Sequence, residues 1–378
     1  MEQKGIFSIE TFVFLAVLIA VFWLFLSTMG TAAFFKTLMA TAHDLLLNTV
    51  FFIMAVAVLT GAFAALLDEF GVVQWVHIML DKLMKPLYNL PGIAAVGVIS
   101  TYFSDNPAII ALGKDKKFIS HFEKWQEPLL CNLGTAFGMG MIVSTFFIAQ
   151  GGRTGVNLVS AVIVGNISTV IGSIVSVRMF SHWTKKKLGS IHKEVEKWNE
   201  KFRKIREGSV FERFLEAMLD GGKTGVDIGM GIIPGVLIIS TFIMMLTFGP
   251  RDPSIGYQGL AYEGVALFDK IGKYLYWPMK VLFGFESPQL VAFPITCFGS
   301  TGAALALVPR FMEHGLVNPS DVAVFTAIGM TWSGYLSTHV GMMDALGYRY
   351  LTSKAILSHT VGGLVAGFSA NILYNLFF

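Results

Sequence analysis

Residues 83–112 read LMKPLYNLPGIAAVGVISTYFSDNPAIIAL, and residues 278–307 read PMKVLFGFESPQLVAFPITCFGSTGAALAL. The two stretches align without a gap at an offset of 195, and nine of the thirty paired residues are identical. Each is an apolar segment interrupted at its middle by small, polar and helix-breaking residues. Matching interrupted segments in two halves of a membrane chain are typical of a transport site. The repeat therefore predicts an internal duplication and the position of a site.

The composition is that of a membrane protein. The 378 residues are 54% hydrophobic and only 14% charged, with a mean hydropathy of +0.64. So few charges cannot cover the surface of a soluble domain of this size, whereas lipid can cover an apolar surface. The uncharged stretch 11–27 is followed by further apolar segments, so we interpret it as a retained transmembrane helix and not as a signal peptide.

Positive charge is concentrated in one central stretch. Twelve of the 28 Lys and Arg residues fall between Arg178 and Lys223. Glutamates alternate with the lysines there at helical spacing, which indicates a solvated helix and not a nucleic-acid surface. The positive-inside rule places this linker in the cytoplasm. Enzyme motifs are absent, and the two cysteines have no metal-ligand spacing, so neither catalysis nor a metal or other cofactor is predicted.

The sequence predicts an all-α polytopic membrane fold built from two pseudo-symmetric repeats. Ahead of each interrupted segment, residues 70–90 and 259–280 show the spacing of an amphipathic helix that lies along the membrane surface. The motif TAFGMG, from Thr135, recurs as TAIGMT from Thr326, which extends the repeat into the following helix. The predicted order is an N-terminal transmembrane helix at 1–37, a first repeat at 38–180, a basic cytoplasmic linker helix at 181–215 and a second repeat at 216–378.

The distribution of positive charge favours inverted repeats. If the interrupted segments span the membrane, each repeat crosses it four times and the copies are parallel. If they re-enter as hairpins, each repeat crosses three times and the copies are inverted. Of the sixteen Lys and Arg outside the central stretch, the hairpin arrangement places nine inside and seven outside, against six and ten for the spanning arrangement. The positive-inside rule therefore favours the inverted hairpins.

The sequence also resembles a known family of membrane proteins. The opening of the second repeat, residues 214–246 (FLEAMLDGGKTGVDIGMGIIPGVLIISTFIMML), resembles the start of the nucleoside-recognition or gate domain. So does the Pro91-Gly92 pair ahead of the first interrupted segment. The family includes bacterial spore maturation proteins A and B and the membrane part of ferrous iron transport protein B. The resemblance implies two gate domains fused end to end, and a solute or ion permease whose substrate it does not name.

The first interrupted segment carries the sharpest candidate site, Ser104-Asp105-Asn106-Pro107. Proline opens a helix because it lacks a backbone donor, and an open turn exposes groups that can bind an ion or a polar ligand. A carboxylate at membrane depth is costly unless it is paired or hydrated, which makes Asp105 a candidate for substrate binding or for Na⁺ or H⁺ coupling. The alternative is that Asp105 caps the helix that begins at Pro107.

Further polar residues align with this site or follow it. Ser300 and Thr301 occupy the positions of Asp105 and Asn106 in the second copy, so one half would supply charge and the other hydroxyl groups. Polar residues on the helix after each segment either line a pathway or bond to neighbouring helices. His339 forms a titratable pair with Asp344 in one interpretation, which would allow proton coupling. The complete predicted site is Thr101, Ser104, Asp105, Asn106, Asn132, Thr135, Thr296, Ser300, Thr301, Thr331 and His339.

We therefore expect an inner-membrane secondary permease for a small polar solute, either nucleoside-like or an organic anion or amino acid, bound between the interrupted segments and coupled to an ion. Its expected partners are the lipid bilayer and that solute, with no nucleic acid, and the sequence leaves a homo-oligomer open. Two alternatives stay open at this stage: a non-transporting membrane scaffold of the spore-maturation kind, and a divalent metal permease.

Overall fold

The computed structural model describes residues 8–191 and 205–378. Within these ranges the chain is helical and contains no β-strand. Six of the described helices are long and apolar enough to cross a membrane. The predicted all-α polytopic fold is therefore confirmed, and the protein is a multi-pass membrane protein. Residues 192–204, in the middle of the predicted basic linker, lie outside the described residues.

The N-terminal helix α1 (Ile9–Met29) stands apart from the two repeated units and packs through Phe25 and Met29 against both of them. The first unit contains, in chain order, α2 (Thr31–Asp44), α3 (Phe51–Glu69), α4 (Val72–Tyr88), α5 (Ala94–Phe103), α6 (Pro107–Lys114), α7 (Lys116–Ile119), α8 (Leu129–Thr135), α9 (Gly140–Thr154) and α10 (Val159–Leu188). The second unit contains α11 (Val210–Gly235), α12 (Thr241–Thr247), α13 (Leu267–Phe283), α14 (Ala292–Cys297), α15 (Thr301–Glu313), α16 (Pro319–Thr331), α17 (Tyr335–Ala345) and α18 (Thr352–Phe377).

Each unit begins with one long helix that a single π-helical turn interrupts. In the first unit, α2 and α3 form a continuous helix of 39 residues around the π-helical stretch Leu45–Val50. In the second, α11 and α12 form one of 38 residues around the stretch Val236–Ser240. The first long helix starts at Thr31, seven residues before the boundary at 38 that the sequence predicts.

The two long helices cross each other in opposite directions. Gly61 of α3 lies against Gly221 of α11, and a Cβ added to Gly221 would be 2.2 Å from the Gly61 carbonyl oxygen. Met54, two turns earlier on α3, lies against Gly229, two turns later on α11. From the first contact to the second, the position on α3 shifts toward its N-terminus and the position on α11 shifts toward its C-terminus. The two helices are therefore antiparallel.

The last helices of the two units, α10 and α18, show the same relation. Gly172 of α10 lies against Ala366 of α18, whereas Ser176, one turn later, lies against Gly362, one turn earlier. A two-fold axis along the membrane normal would leave equivalent helices parallel. An axis in the membrane plane would reverse them, so the antiparallel crossings agree with the predicted inverted repeats.

The interrupted segments are hairpins with short arms. The ten residues of α5 and the eight of α6 span about 15 and 12 Å at 1.5 Å per residue, roughly half of the hydrocarbon core each. Gly97 of α5 faces Ile109 of α6, so the two arms lie side by side. The arms α14 and α15 also pack against each other. Hereafter these pairs are the first hairpin and the second hairpin.

The helix after each hairpin is unwound near its middle. The break between α8 and α9 ends at Met139, and the break between α16 and α17 ends at Gly334, both with left-handed backbone. These two residues are 195 positions apart, whereas the similar motifs TAFGMG and TAIGMT are 191 apart. The difference is four residues, about one helical turn. The motif alignment therefore matches the correct helix face but is one turn out of register with the break.

The amphipathic stretches form α4 and α13, two helices of 17 residues each. Both end at a residue with left-handed backbone, Asn89 and Gly284, and both leave large apolar side chains exposed, among them Trp75 and Trp277. Exposed aromatic residues beside charged ones are typical of helices that lie in the membrane interface.

The glycine contact between the long helices gives a direct stability test. Gly221→Ala forces a methyl group against the Gly61 backbone, so the helices must separate, and we expect a loss of about 1–3 kcal/mol. The neighbouring Gly222→Ala is the matched control, because the nearest atom to its added Cβ is 3.7 Å away. Thermal unfolding in detergent compares the two variants. Equal unfolding midpoints would contradict the close antiparallel crossing.

Candidate functional site

The tip of the first hairpin joins the two unwound helices. The side-chain amide of Asn106 donates a hydrogen bond to Ser333 Oγ, at 3.2 Å, in the break between α16 and α17. In the break between α8 and α9, Gly138 lies so close that a Cβ there would be 2.5 Å from Asn106 Oδ1. This carboxamide oxygen is buried and has no hydrogen-bond partner among the described residues. Asn106 is thus the residue at which the first hairpin meets the breaks of both unwound helices.

Asp105 lies beside this junction. Its carboxylate accepts a hydrogen bond from the Asn106 amide at 3.0 Å, and the side chain is half-buried. It forms no ion pair with a residue in the described ranges. It does not cap α6 either, because Asn106 holds the N-cap position and no side chain there bonds to the helix. A carboxylate without an ion pair is available for a cation, a proton or a donor group of a solute.

The tip of the second hairpin is neutral and satisfied within the protein. Ser300 caps α15, since its Oγ accepts a hydrogen bond from the Ala303 amide. Thr301 Oγ1 donates to the Gly329 carbonyl oxygen of α16 at 2.9 Å. Ser300 also lies against Gly235 of α11. The described residues show no hydrogen bond between this tip and Asp105 or Asn106, so the structure does not bring the two tips into direct polar contact.

Five of the predicted hydroxyl groups are used inside their own helices. Each donates to the carbonyl oxygen one turn earlier, the usual way in which a membrane helix satisfies a hydroxyl group. These residues are Thr101, Ser104, Thr135, Thr296 and Thr331, which donate to Gly97, Ser100, Cys131, Ala292 and Ala327 respectively.

Asn132 belongs to a buried hydrogen-bond chain that ties the two units together. Its amide donates to Ser176 Oγ at 2.9 Å and to the Ala355 carbonyl oxygen at 3.0 Å. Ser176 Oγ lies 2.9 Å from His359 Nδ1, and His359 Nε2 bonds to the Thr331 carbonyl oxygen. A carbonyl can only accept, so Nε2 carries the hydrogen, and the neutral imidazole accepts from Ser176 at Nδ1. Asn132 therefore connects helices of the two units, and its buried carboxamide oxygen has no hydrogen-bond partner among the described residues.

His339 pairs differently from the sequence-based prediction. Its ring is fully buried, 4.7 Å from the ring of His359, and its Nδ1 bonds to the Tyr335 carbonyl oxygen. Asp344 instead lies on the surface, 3.9 Å from Arg349. The predicted pair is wrong because five residues along a helix turn the side chain by roughly 140°, onto another face. His339 Nε2 is buried without a partner among the described residues.

His359 and Ser176 lie next to predicted site residues but are not predicted from the sequence. Both lie on helices, α18 and α10, that the sequence presents as plain spanning segments. A signal was available, because an ionisable side chain within a membrane helix is expected to have a function or a partner. No group of three or more His, Cys, Asp or Glu side chains in the described part of the chain could hold a metal ion.

The fold has counterparts among solved structures. CNTnw, a concentrative nucleoside transporter, in an inward-facing substrate-bound state shares 13% sequence identity over 87% of this chain and 80% of its own, with a TM-score of 0.53. A CNTnw variant in an intermediate state shares 13% identity over 88% of this chain and 81% of its own, with a TM-score of 0.54. At this identity the likeness shows a shared fold. No protein-family model and no curated protein matches the sequence.

We expect the buried hydrogen-bond chain through His359 to contribute strongly to the stability of the fold. His359→Phe keeps most of the ring volume but leaves Ser176 and the Thr331 carbonyl without their partner, which costs about 1–2 kcal/mol per hydrogen bond. We expect a clearly lower unfolding temperature in detergent. His182→Phe, on the exposed surface of α10, is the control and should unfold like the parent protein. A stable His359→Phe protein would show that the chain is dispensable.

Proposed function

We propose that this protein is a secondary permease of the inner membrane for a small polar solute. The observation that carries the proposal is the junction of Asp105, Asn106 and Ser333, where a hairpin tip meets two unwound helices. It offers an unpaired carboxylate and an unpartnered carboxamide oxygen at the expected depth of the bilayer midplane. A carboxylate without an ion pair and a buried carboxamide oxygen without a hydrogen-bond partner are both costly in a membrane, and solute binding gives a reason for them.

Ion coupling fits the same junction. Asp105 can bind Na⁺ through its carboxylate or can itself take up a proton, and either event changes the charge that the hairpin tip carries. Because the Asn106 amide already donates to Asp105 and to Ser333, a change at the carboxylate reaches the break between α16 and α17 directly. We propose that ion binding at Asp105 and solute binding at the break support each other in this way.

The inverted geometry supports a mechanism of alternating access. We propose that the hairpins and unwound helices move as one group against the crossed long helices, so that the junction faces first one side of the membrane and then the other. In the proposed orientation the basic linker that follows α10 is cytoplasmic. The first hairpin then enters the membrane from the cytoplasmic face, and the second hairpin enters from the outer face. The gate-domain resemblance, the scaffold alternative and the metal alternative remain predictions of the sequence.

A loss of the Asp105 charge tests the function. A thermal-shift screen of nucleosides, amino acids, organic acids and divalent metals first identifies a solute, and uptake into proteoliposomes is then measured under a sodium or proton gradient. Asp105→Asn keeps the shape and removes the charge, so we expect gradient-driven uptake to fall by about tenfold or more.

The control is Asp344→Asn, the same chemical change on the protein surface. It should transport as well as the parent protein. Normal gradient-driven uptake by Asp105→Asn would remove this carboxylate from the mechanism, and a protein that transports no solute from any class would favour the scaffold alternative.

A further inference from the structure

A cavity of about 670 Å³ opens between the two units, away from the junction at Asn106. Its walls are the π-helical stretch Leu45–Val50 of the first long helix, the last turns of α9 and α15, and the loop 248–266. Helix α9 ends just before α10 begins, whereas α10 ends at the basic linker. The cavity therefore lies on the face opposite the linker, which is the outer face in the proposed orientation.

The cavity extends inward from this face. Along α15 its lining runs from Glu313 to Ala306, seven residues or about 10 Å toward the tip of the second hairpin. On the opposite wall it reaches Phe52, next to the crossing of the long helices at Met54. The two walls are a long helix of the first unit and a hairpin of the second. These are the elements that alternating access would move apart, so the cavity has the position of an outer vestibule.

Three arginines line this vestibule. Arg153 comes from the last turn of α9, Arg251 from the loop after α12, and Arg310 from the C-terminal part of α15. Arg153 and Arg251 are exposed and form no ion pair with a described residue. Arg310 is held between the rings of Tyr262, at 5.1 Å, and Phe248, at 6.0 Å. Its Nε is buried and has no hydrogen-bond partner in the described part of the chain.

The two carboxylates of the lining are already occupied. Glu313 accepts a hydrogen bond from Arg310 at 2.8 Å. Asp44 accepts from the Asn48 amide at 2.8 Å and from the Tyr262 hydroxyl group. Burial, followed by the contact with Asp44, raises the pKa of Tyr262, so its hydroxyl group stays a neutral donor. The guanidinium groups of Arg153 and Arg251 are left to face the cavity without a carboxylate partner among the described residues.

We propose that this vestibule binds a small organic anion, and that the solute of the permease carries a carboxylate or phosphate group. Guanidinium groups bind both anions through paired, charge-assisted hydrogen bonds. Positive charge in a concave site also raises the local concentration of an anion and its rate of association. The inference rests on the proposed transport function and narrows its substrate class. It concerns a set of residues separate from Asp105 and Asn106.

Binding of matched solutes to the purified protein tests the proposal. The probes are uridine, uridine 5′-monophosphate and succinate, and binding is measured calorimetrically at low and at physiological salt. We expect the nucleotide or succinate to bind, more weakly at higher salt, and uridine to bind much less. Whichever anion binds more tightly identifies the group that the guanidinium groups prefer.

Two variants locate the binding. Arg153→Gln and Arg310→Gln should each weaken anion binding by about tenfold or more, the effect of one charge-assisted hydrogen bond. Arg153 is exposed and its described contact is with the Phe52 ring, so its variant should fold even if Arg310→Gln does not. Arg349→Gln is the control, because Arg349 is an exposed arginine at the other end of the bundle.

Two results would overturn the proposal. One is binding of uridine as tight as that of its monophosphate and of succinate, since the anionic group would then contribute nothing. The other is unchanged anion binding in Arg153→Gln and Arg310→Gln. Either result leaves the permease proposal standing, because that proposal depends on uptake and on Asp105.

Discussion

The structure depends on one constraint: backbone that leaves the helical hydrogen-bond pattern inside a membrane must find partners in the protein or in a water-filled cavity. Two hairpin tips and two unwound helices break the pattern here. They satisfy one another. Asn106 reaches Ser333 across the units, Thr301 bonds to the Gly329 carbonyl, and His359 bonds to the Thr331 carbonyl. The breaks must therefore lie together, and this brings the polar groups of two distant chain segments into one region.

The frame that holds these breaks is symmetric, but its polar content is not. The long helices and the final helices cross antiparallel in the same way, and both interfacial helices have 17 residues. One hairpin tip nevertheless has an unpaired carboxylate, whereas the other has only satisfied hydroxyl groups. The two halves of the duplicated frame therefore differ in charge, and in the proposed function only the first hairpin tip responds to an ion.

The sequence predicts the fold well because the relevant signals are local. Apolar length, the spacing of α4 and α13, and the proline after Asn106 each determine a segment without reference to the rest of the chain. The distribution of Lys and Arg favours repeats of opposite orientation in the membrane. The antiparallel crossing of α3 with α11 agrees with that prediction. The one-turn error in aligning the helix breaks arises because small residues recur on the same helix face.

The site is predicted less completely, because its contacts join residues far apart in the chain. Asp105 and Asn106 were identifiable from the local break, but the partner Ser333 is 227 residues away from Asn106. The chain through Ser176 and His359 depends on how α10 packs against α18. The arginines of the vestibule come from two separate helices and a loop. No sequence spacing connects such groups until the helices are assembled.

The inverted relation of the two units is tested most directly by labelling one pair of equivalent residues. Lys85 on α4 and Lys280 on α13 are both exposed and are 195 residues apart. Lys85→Cys and Lys280→Cys would be treated in intact cells with a membrane-impermeant thiol reagent, and the native Cys131 and Cys297 are buried. The account predicts that the cysteine at 280 reacts from outside, whereas the cysteine at 85 reacts only after the membrane is opened. Labelling of both positions from the same side would contradict it.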